Sequence, residues 1–240
     1  MPKIELLHID CMEYMKGLPD KAFDLAIVDP PYGIGVNHNM GRRKGDKPSD
    51  YKPAVWDNVS PPQEYFLELF RVSKNQIIWG ANHFISKMPK DSSCWLLWDK
   101  MFSDDLSFAQ FEMAWTSFDS VCKKFTKDPK DAFRIHPTQK PVQLYKWCLK
   151  NYATCTHCNN TGKIYDDPGM SITKTEMDCD WCDVAQRGRH KILDTHGGSR
   201  SLAIACHQMG FDHVSCEIDK DYHEASVKRY NNAIMQQSLF

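Results

Sequence analysis

Several things are missing from this chain of 240 residues. It has no run of about 18 apolar residues, which removes a membrane-spanning helix from consideration. Its first residues, Met1-Pro2-Lys3-Ile4-Glu5, lack the apolar centre of a secretion signal, so a cytoplasmic protein is expected. Neither sign of charge dominates: 30 Lys and Arg stand against 31 Asp and Glu, so any contact with nucleic acid must come from a local basic patch. Neither G-x-G-x-x-G nor the lysine-containing P-loop occurs, which argues against a cofactor held by its pyrophosphate. No internal repeat is visible. What is plentiful is apolar and aromatic residues, at 42% and 12%, enough for one large core with a small appended module. There are also ten cysteines. In a reducing compartment these suit metal binding better than a disulfide framework.

Strand and helix signals alternate along the chain. Apolar runs at residues 4–9, 23–28, 76–79, 94–98, 191–193 and 214–216 read as strands. Helical patterns fall at 11–16, from Ser60-Pro61-Pro62-Gln63 to about Ser73, and from Pro141 onward with Val142, Tyr145, Leu149 and Tyr152 on one face. Two more follow Ser199 and begin near Asp221. The Ser60 segment has capping-box spacing. Leu202, Ala203, Cys206 and Met209 form one side of the helix that Gly210 stops. Such alternation predicts an α/β fold: a doubly wound, Rossmann-like, mostly parallel sheet with helices on both faces. Two stretches interrupt it, a basic, glycine-containing segment at 33–57 and a cysteine-bearing one at 154–190.

Chemistry concentrates in two places. "ILDTHGGSRS" at 192–201 runs from a strand through Gly197-Gly198-Ser199 into a helix, where an open α/β sheet binds nucleotide-like ligands. Glu217, at the end of the next strand, is placed to accept hydrogen bonds from both hydroxyls of a ribose. "DPPYGIGV" at 29–36 ends the second strand. An exocyclic amino group on a base is a poor nucleophile because its lone pair is conjugated into the ring. Hydrogen bonds from that group to Asp29 and to the Pro30 carbonyl would free the lone pair. Pro30 and Pro31 fix the backbone that aims the carbonyl, and Tyr32 offers a face for an extruded base. Gly33 to Val36 reads as the start of a lid.

Asp29-Pro30-Pro31-Tyr32 resembles the catalytic motif of the S-adenosylmethionine-dependent DNA amino-methyltransferases, and Asp194 to Ser199 resembles their cofactor loop. With His136-Pro137-Thr138-Gln139-Lys140-Pro141 between them, the order resembles the circularly permuted β class. The resemblance implies a methyltransferase domain over 1–153 and 191–240. It also implies S-adenosylmethionine as cofactor, double-stranded DNA as partner, and a bacterial or phage-encoded setting that often includes restriction–modification and dimers. It places Thr138, Gln139 and Lys140 against the methionine part of the cofactor and Asp10 and Cys11 at its adenine. Glu217 with Ile218 would lie at the ribose, and Asp194, His196, Gly197, Gly198 and Ser199 would form the loop. Asp29 in the first motif position favours N6 of adenine, since the N4-cytosine relatives more often carry serine. The chain departs from the family at Thr195, His196 and Arg200. Arg200 stands where a glycine is usual. It is expected to take helical backbone angles and to crowd or pair with the methionine carboxylate.

The segment 154–190 has its own signature. Cys155, Cys158, Cys179 and Cys182 form two C-x-x-C pairs at a spacing suited to structural Zn2+, so a zinc-knuckle insert is expected. Cys11, Cys94, Cys122, Cys148, Cys206 and Cys216 sit in apolar contexts and read as core. The insert is acidic, so DNA contact is assigned to the segments 33–57 and 100–135, with Arg42, Arg43, Lys44, Lys123 and Lys124 as candidates. The expected activity is methyl transfer to N6 of a flipped-out adenine. The alternatives are N4-cytosine transfer, a methyltransferase acting on RNA or on protein glutamine, and a catalytically weak DNA-binding homologue.

Overall fold

The computed structural model describes residues 1–35, 57–103, 109–129, 134–136, 138–153, 163–165, 176–178 and 190–237. In chain order the elements are β1 (Ile4–His8), α1 (Cys11–Lys16), β2 (Phe23–Val28), α2 (Gln63–Val72), β3 (Ser73–Trp79), β4 (Trp95–Asp99), β5 (Phe111–Thr116), β6 (Lys123–Thr126), α3 (Val142–Tyr152), β7 (Lys163–Tyr165), β8 (Glu176–Asp178), β9 (Lys191–Asp194), α4 (Ser201–Met209), β10 (Asp212–Glu217) and α5 (Lys220–Gln237).

Eight of the strands form one sheet in the order β1-β10-β9-β2-β3-β5-β4-β6. The five from β1 to β3 pair in parallel. The central pair, β2 and β9, are short apolar runs buried on both faces, the pattern of a parallel sheet between helical layers. Leu25 and Ile27 of β2 pack in the core beneath α3 and α4, with Leu144, Cys148, Leu149, Leu202 and Cys206. Ala26 and Val28 pack in the core beneath α1 and α2, with Met15, Tyr65, Phe66 and Leu69. Each fully buried aliphatic or Phe side chain of this kind stabilises the fold by roughly 1.5–3 kcal/mol. Helix α4 is buried on nearly every side, because α5 covers Ala203 and Ile204 with Tyr230 while the sheet takes the opposite face. The one-sided pattern expected for it reflects only part of that burial.

The chain reverses at β5. It pairs antiparallel with β3 and β4, and β6 then pairs parallel with β4. The segment 100–135, expected to be a DNA-contacting loop, therefore contains two strands of the sheet. Its pattern was hidden because Phe111-Glu112-Met113-Ala114-Trp115-Thr116 places an acid inside an apolar run and Lys123-Lys124-Phe125-Thr126 is an exposed edge. A second correction concerns α2. Ser60 does not cap it: the N-cap is Pro62, without a side-chain hydrogen bond, and the Ser60 hydroxyl accepts from Lys87 Nζ at 2.8 Å. Cys94, Cys148, Cys206 and Cys216 are buried as expected, but Cys122 is exposed just ahead of the edge strand β6.

Helix α2 follows β2 on one face and α4 follows β9 on the other, while β2 and β9 are neighbours, with Leu25 opposite Ile192 and Ala26 opposite Leu193. The connections diverge there, leaving a crevice at the carboxyl ends of the strands, the usual ligand position in an open α/β sheet.

Candidate active site

Asp29 follows β2 and Asp194 ends β9, so the two expected motifs meet at that crevice. A cavity there is lined by Asp29, Pro31, His136, Thr138, Gln139, Lys140, Tyr145, Asp194, His196, Gly197, Gly198, Ser199, Glu217, Ile218 and Tyr222, among others. Asp10 and Cys11 do not line it. Asp10 caps α1, its Oδ1 accepting from the amides of Met12 and Glu13 at 2.9 and 3.0 Å, and Cys11 begins that helix.

The Asp29–Tyr32 turn is held from several directions. The amides of Tyr32 and Gly33 both donate to Asp57 Oδ1, at 2.7 and 3.1 Å. The Tyr32 ring lies on Gly80, where an added Cβ would fall 2.0 Å from the ring, so only glycine fits. It also stacks on His83, with centroids 5.0 Å apart and 17° between planes. The Tyr32 hydroxyl donates to Asp29 Oδ1 at 2.7 Å. Pro30 is buried and Pro31 partly so.

Lys140 is not directed only toward a cofactor. Its ammonium, 2% exposed, lies 2.6 Å from Asp29 Oδ2, 2.8 Å from Glu112 Oε2 and 3.1 Å from the Tyr32 hydroxyl. Glu112 pairs through its other oxygen with Lys100 Nζ at 2.5 Å. Burial would raise the Glu112 carboxyl, but Lys140 and Lys100 outweigh it and hold that group down at about 2. Burial, helped by the Glu112 charge, pushes the Asp29 carboxyl above its ordinary range against the pull of Lys140.

Across the cavity, the Gly198 amide donates to Glu217 Oε2 at 2.8 Å and the Asp219 amide to Oε1 at 2.9 Å. Gly198 has φ +46°, the left-handed region that favours glycine. Asp194 accepts from the His196 amide at 3.1 Å, and burial pushes its carboxyl up to about 7. His196 Nδ1 lies 2.9 Å from Thr195 Oγ1, which lies 2.6 Å from the Tyr65 hydroxyl. Burial holds His196 neutral down to about 4. His136 packs beside Tyr222 at 4.5 Å between centroids, and its Nδ1 lies 3.1 Å from Thr138 Oγ1.

Arg200 departs from the expectation. It has φ +59° and ψ +27°, so it occupies a left-handed conformation of the kind that favours glycine and not a helical one. Its side chain does not line the cavity. The guanidinium is fully buried, bonding the Ser215 hydroxyl and, at 3.2 Å each, the Leu7 carbonyl and His223 Nδ1. It lies beneath Gly197, where a Cβ would overlap it. Packing under the sheet, and not contact with a ligand, is what fixes this residue.

Among the other expected site residues, Lys123 reaches Asn151 Oδ1 at 3.0 Å and Lys124 reaches Asp99 Oδ2 at 3.3 Å. Arg42, Arg43, Lys44, Cys155, Cys158, Cys179, Cys182 and the lid beyond Gly35 lie outside the described residues. Two participants, Asp57 and Glu112, escaped sequence reasoning. Each is an acid distant from any motif, and only the fold brings it to the Asp29–Tyr32 turn.

The site also fits the cofactor that the fold implies. A carboxylate held by the Gly198 and Asp219 amides, in a cavity also lined by Leu202, Ile218 and Tyr222, suits a nucleoside that carries no pyrophosphate. No family model matches the sequence. The type II methyltransferase M.HinfI of Haemophilus influenzae is 23% identical over 93% of this chain and 67% of its own length. Among solved structures, the M1.HpyAVI complex with S-adenosylmethionine superposes with a TM-score of 0.52 at 16% identity, covering 96% of this chain and all of that one. The cytosine-N4-specific PvuII DNA methyltransferase gives 0.51 at 9% identity, covering 97% of this chain and 93% of the other. In its motifs, their order and its fold, this chain is similar over nearly its whole length to the DNA modification methyltransferases, the S-adenosylmethionine-dependent amino-methyltransferases.

Proposed function

We propose that the protein transfers a methyl group from S-adenosylmethionine to N6 of an adenine flipped out of duplex DNA. The observation that carries this reading is the single cavity shared by Asp29 and Pro31 of the catalytic motif and by Gly197, Gly198 and Glu217 of the cofactor loop. Glu217 and the backbone at Gly198 would hold the cofactor's ribose. When bound, the cofactor supplies an electrophilic methyl on sulfur. Asp29 and the Pro30 carbonyl accept hydrogen bonds from the target amino group and turn its lone pair toward that methyl. Asp29 then takes the proton that the methylated nitrogen releases. Tyr32 and the buried wall around it exclude water, and orientation supplies most of the rate. Asp29 in the first motif position favours adenine. The likeness to a cytosine-N4 enzyme keeps N4 of cytosine as the second reading.

Tritium transfer from labelled cofactor to unmethylated DNA, followed by mass spectrometry of the nucleosides, tests both readings. The expected product is N6-methyladenine, and N4-methylcytosine would favour the second reading. Label appearing only in RNA or protein would overturn both. Asp29→Ala is expected to abolish transfer.

Contact with DNA phosphates is assigned to Arg42, Arg43 and Lys44. Their reversal to Glu should weaken DNA binding and flatten its salt dependence. The four cysteines of the insert are proposed to hold one structural Zn2+. The backbone between them folds back as β7 against β8, with Lys163 opposite Asp178, so the two C-x-x-C pairs flank one ribbon in sequence. One equivalent of zinc per chain by elemental analysis is the expected result, and its loss on replacing Cys155 and Cys158 by Ser would confirm the ligands.

A further inference from the structure

The segment containing Lys140 is implied by resemblance to serve the cofactor's methionine part, but its ammonium is committed elsewhere. We propose that Lys140, anchored by Glu112, is a positioning residue for Asp29, fixing the carboxylate that receives the target amino group. The inference rests on the methyltransferase reading above.

Three observations converge on it. The first is topological. Glu112 is the second residue of β5, the strand that runs against β3, with Trp79 opposite Ala114. Reversal brings the beginning of β5 to the rim where the parallel strands end, so an acid from a distant part of the chain arrives beside Asp29. The second is geometric. Lys140 Nζ lies within 2.8 Å of both carboxylates and 3.1 Å of the Tyr32 hydroxyl, which itself bonds the other Asp29 oxygen. Both Asp29 oxygens are thus tied by donors that fix the plane of the carboxylate, and each keeps a lone pair for an incoming amine. The third is electrostatic. Lys140 is buried between Asp29 and Glu112, whose side chains keep only 18% and 21% exposure, and a buried ammonium between two carboxylates is favourable only when all partners stay in place. Lys100 completes the row by neutralising Glu112 from outside, 2.5 Å away and 5.5 Å from the Trp98 ring centroid.

The groups facing Asp29 are Lys140, Glu112, Tyr32, Tyr145 and Asp194. Lys140 is the only cation among these. Its removal would let the Asp29 carboxyl rotate and take up a proton more readily, losing the acceptor that the reaction needs. Proton balance is unchanged by this role: Lys140 remains an ammonium, and the proton released on methyl transfer goes to Asp29.

The test compares wild type, Lys140→Met, Lys140→Arg and Glu112→Gln by two measurements. In cofactor-free protein, NMR titration of 13C-labelled Asp carboxyls should place Asp29 at higher pH in Lys140→Met than in wild type, with Lys140→Arg close to wild type. In methyl transfer, Lys140→Met should lower kcat about 100-fold and Glu112→Gln about 10-fold, the scale of a displaced positioning group. KM for the cofactor should stay within about threefold, and Lys140→Arg should recover much of kcat. A rise in cofactor KM with kcat preserved would overturn the proposal by returning Lys140 to the cofactor. So would an unmoved Asp29 titration. If Lys140→Met does not fold, Glu112→Gln decides by kinetics: a roughly tenfold lower kcat with cofactor KM within about threefold supports the proposal, and an unchanged kcat overturns it. Absence of transfer by wild type would overturn the methyltransferase reading alone, because the NMR comparison still judges the placement of Lys140.

Discussion

The hydroxyl of Tyr32 donates to Asp29 at 2.7 Å, so the ring proposed to support the base is also bonded to the acid proposed to bind its amino group. The two halves of that contact separate by mutation. Tyr32→Phe keeps the ring on Gly80 and His83 and should cost less than about tenfold in kcat, the scale of one hydrogen bond. Tyr32→Ala removes the stacking surface, worth roughly 1–3 kcal/mol per base, and should raise KM for DNA about 10- to 100-fold. Steady-state kinetics with each variant checks the division. Equal effects of the two would remove the stacking role.

Glu217 accepts from the Gly198 and Asp219 amides at 2.8 and 2.9 Å, and Glu217→Gln, with a single acceptor oxygen, keeps only one of the two contacts. Loss of its charge should reduce cofactor affinity by about 1.5–3 kcal/mol, the range for hydrogen bonds to charged groups. Isothermal titration calorimetry measures this directly. Affinity equal to wild type would move the ribose site elsewhere.

Arg200→Gly relieves the left-handed strain of an L residue, about 1–2 kcal/mol, but leaves the space of a fully buried side chain beneath Gly197. A net loss of roughly 2–4 kcal/mol in denaturant unfolding is expected, since emptied cores cost that much or more. Cofactor affinity should change less than threefold. Tenfold tighter binding in the variant would show that Arg200 does reach the ligand.

Burial holds His136 and His196 neutral down to about 4 and His213 to about 3. In the unfolded chain these rings titrate near 6.5. The stability of the neutral rings is therefore complete above about 6.5 and is lost as pH falls toward 4, because only the unfolded chain takes up the protons. Asp194, pushed up to about 7 by burial, works in the opposite direction over part of that range and offsets some of the loss. The melting temperature should be lower at pH 5 than at pH 7. His196→Phe should narrow the gap, by roughly 2–4 °C for each kcal/mol recovered. An unchanged gap would exclude His196 as a contributor.

The parallel half of the sheet was legible in the sequence, because strands buried on both faces are written as continuous apolar runs: β2 matches the run at residues 23–28. Gly210 was readable as the stop of α4 for a local reason, its φ of +82°. The antiparallel half was obscure. In β5 the polar residue is Glu112, whose partners Lys140 and Lys100 come from other parts of the chain, so nothing near it in sequence marks it as ion-paired. Asp57 is similar, since its value lies in accepting two amides from a turn 24 residues earlier. Arg200 was misread because a long cation suggests solvent or ligand, whereas its guanidinium has found the Ser215 hydroxyl and the Leu7 carbonyl inside the fold. Motifs announce residues that meet a ligand. They say little about the residues that hold those in place.

The reversed direction of β5 has a consequence for how such a scaffold can diversify. A strand running with its neighbours is entered from the far side of the sheet, and residues inserted before it stay away from the ligand. β5 is entered from the rim, since Phe111 pairs with Asp99 and Trp79 with Ala114. Residues added immediately ahead of Phe111 would therefore extend over the mouth of the cavity while leaving β9, β10 and the cofactor loop untouched. The architecture thus lets the rim beside Asp29 vary independently of the loop that follows β9.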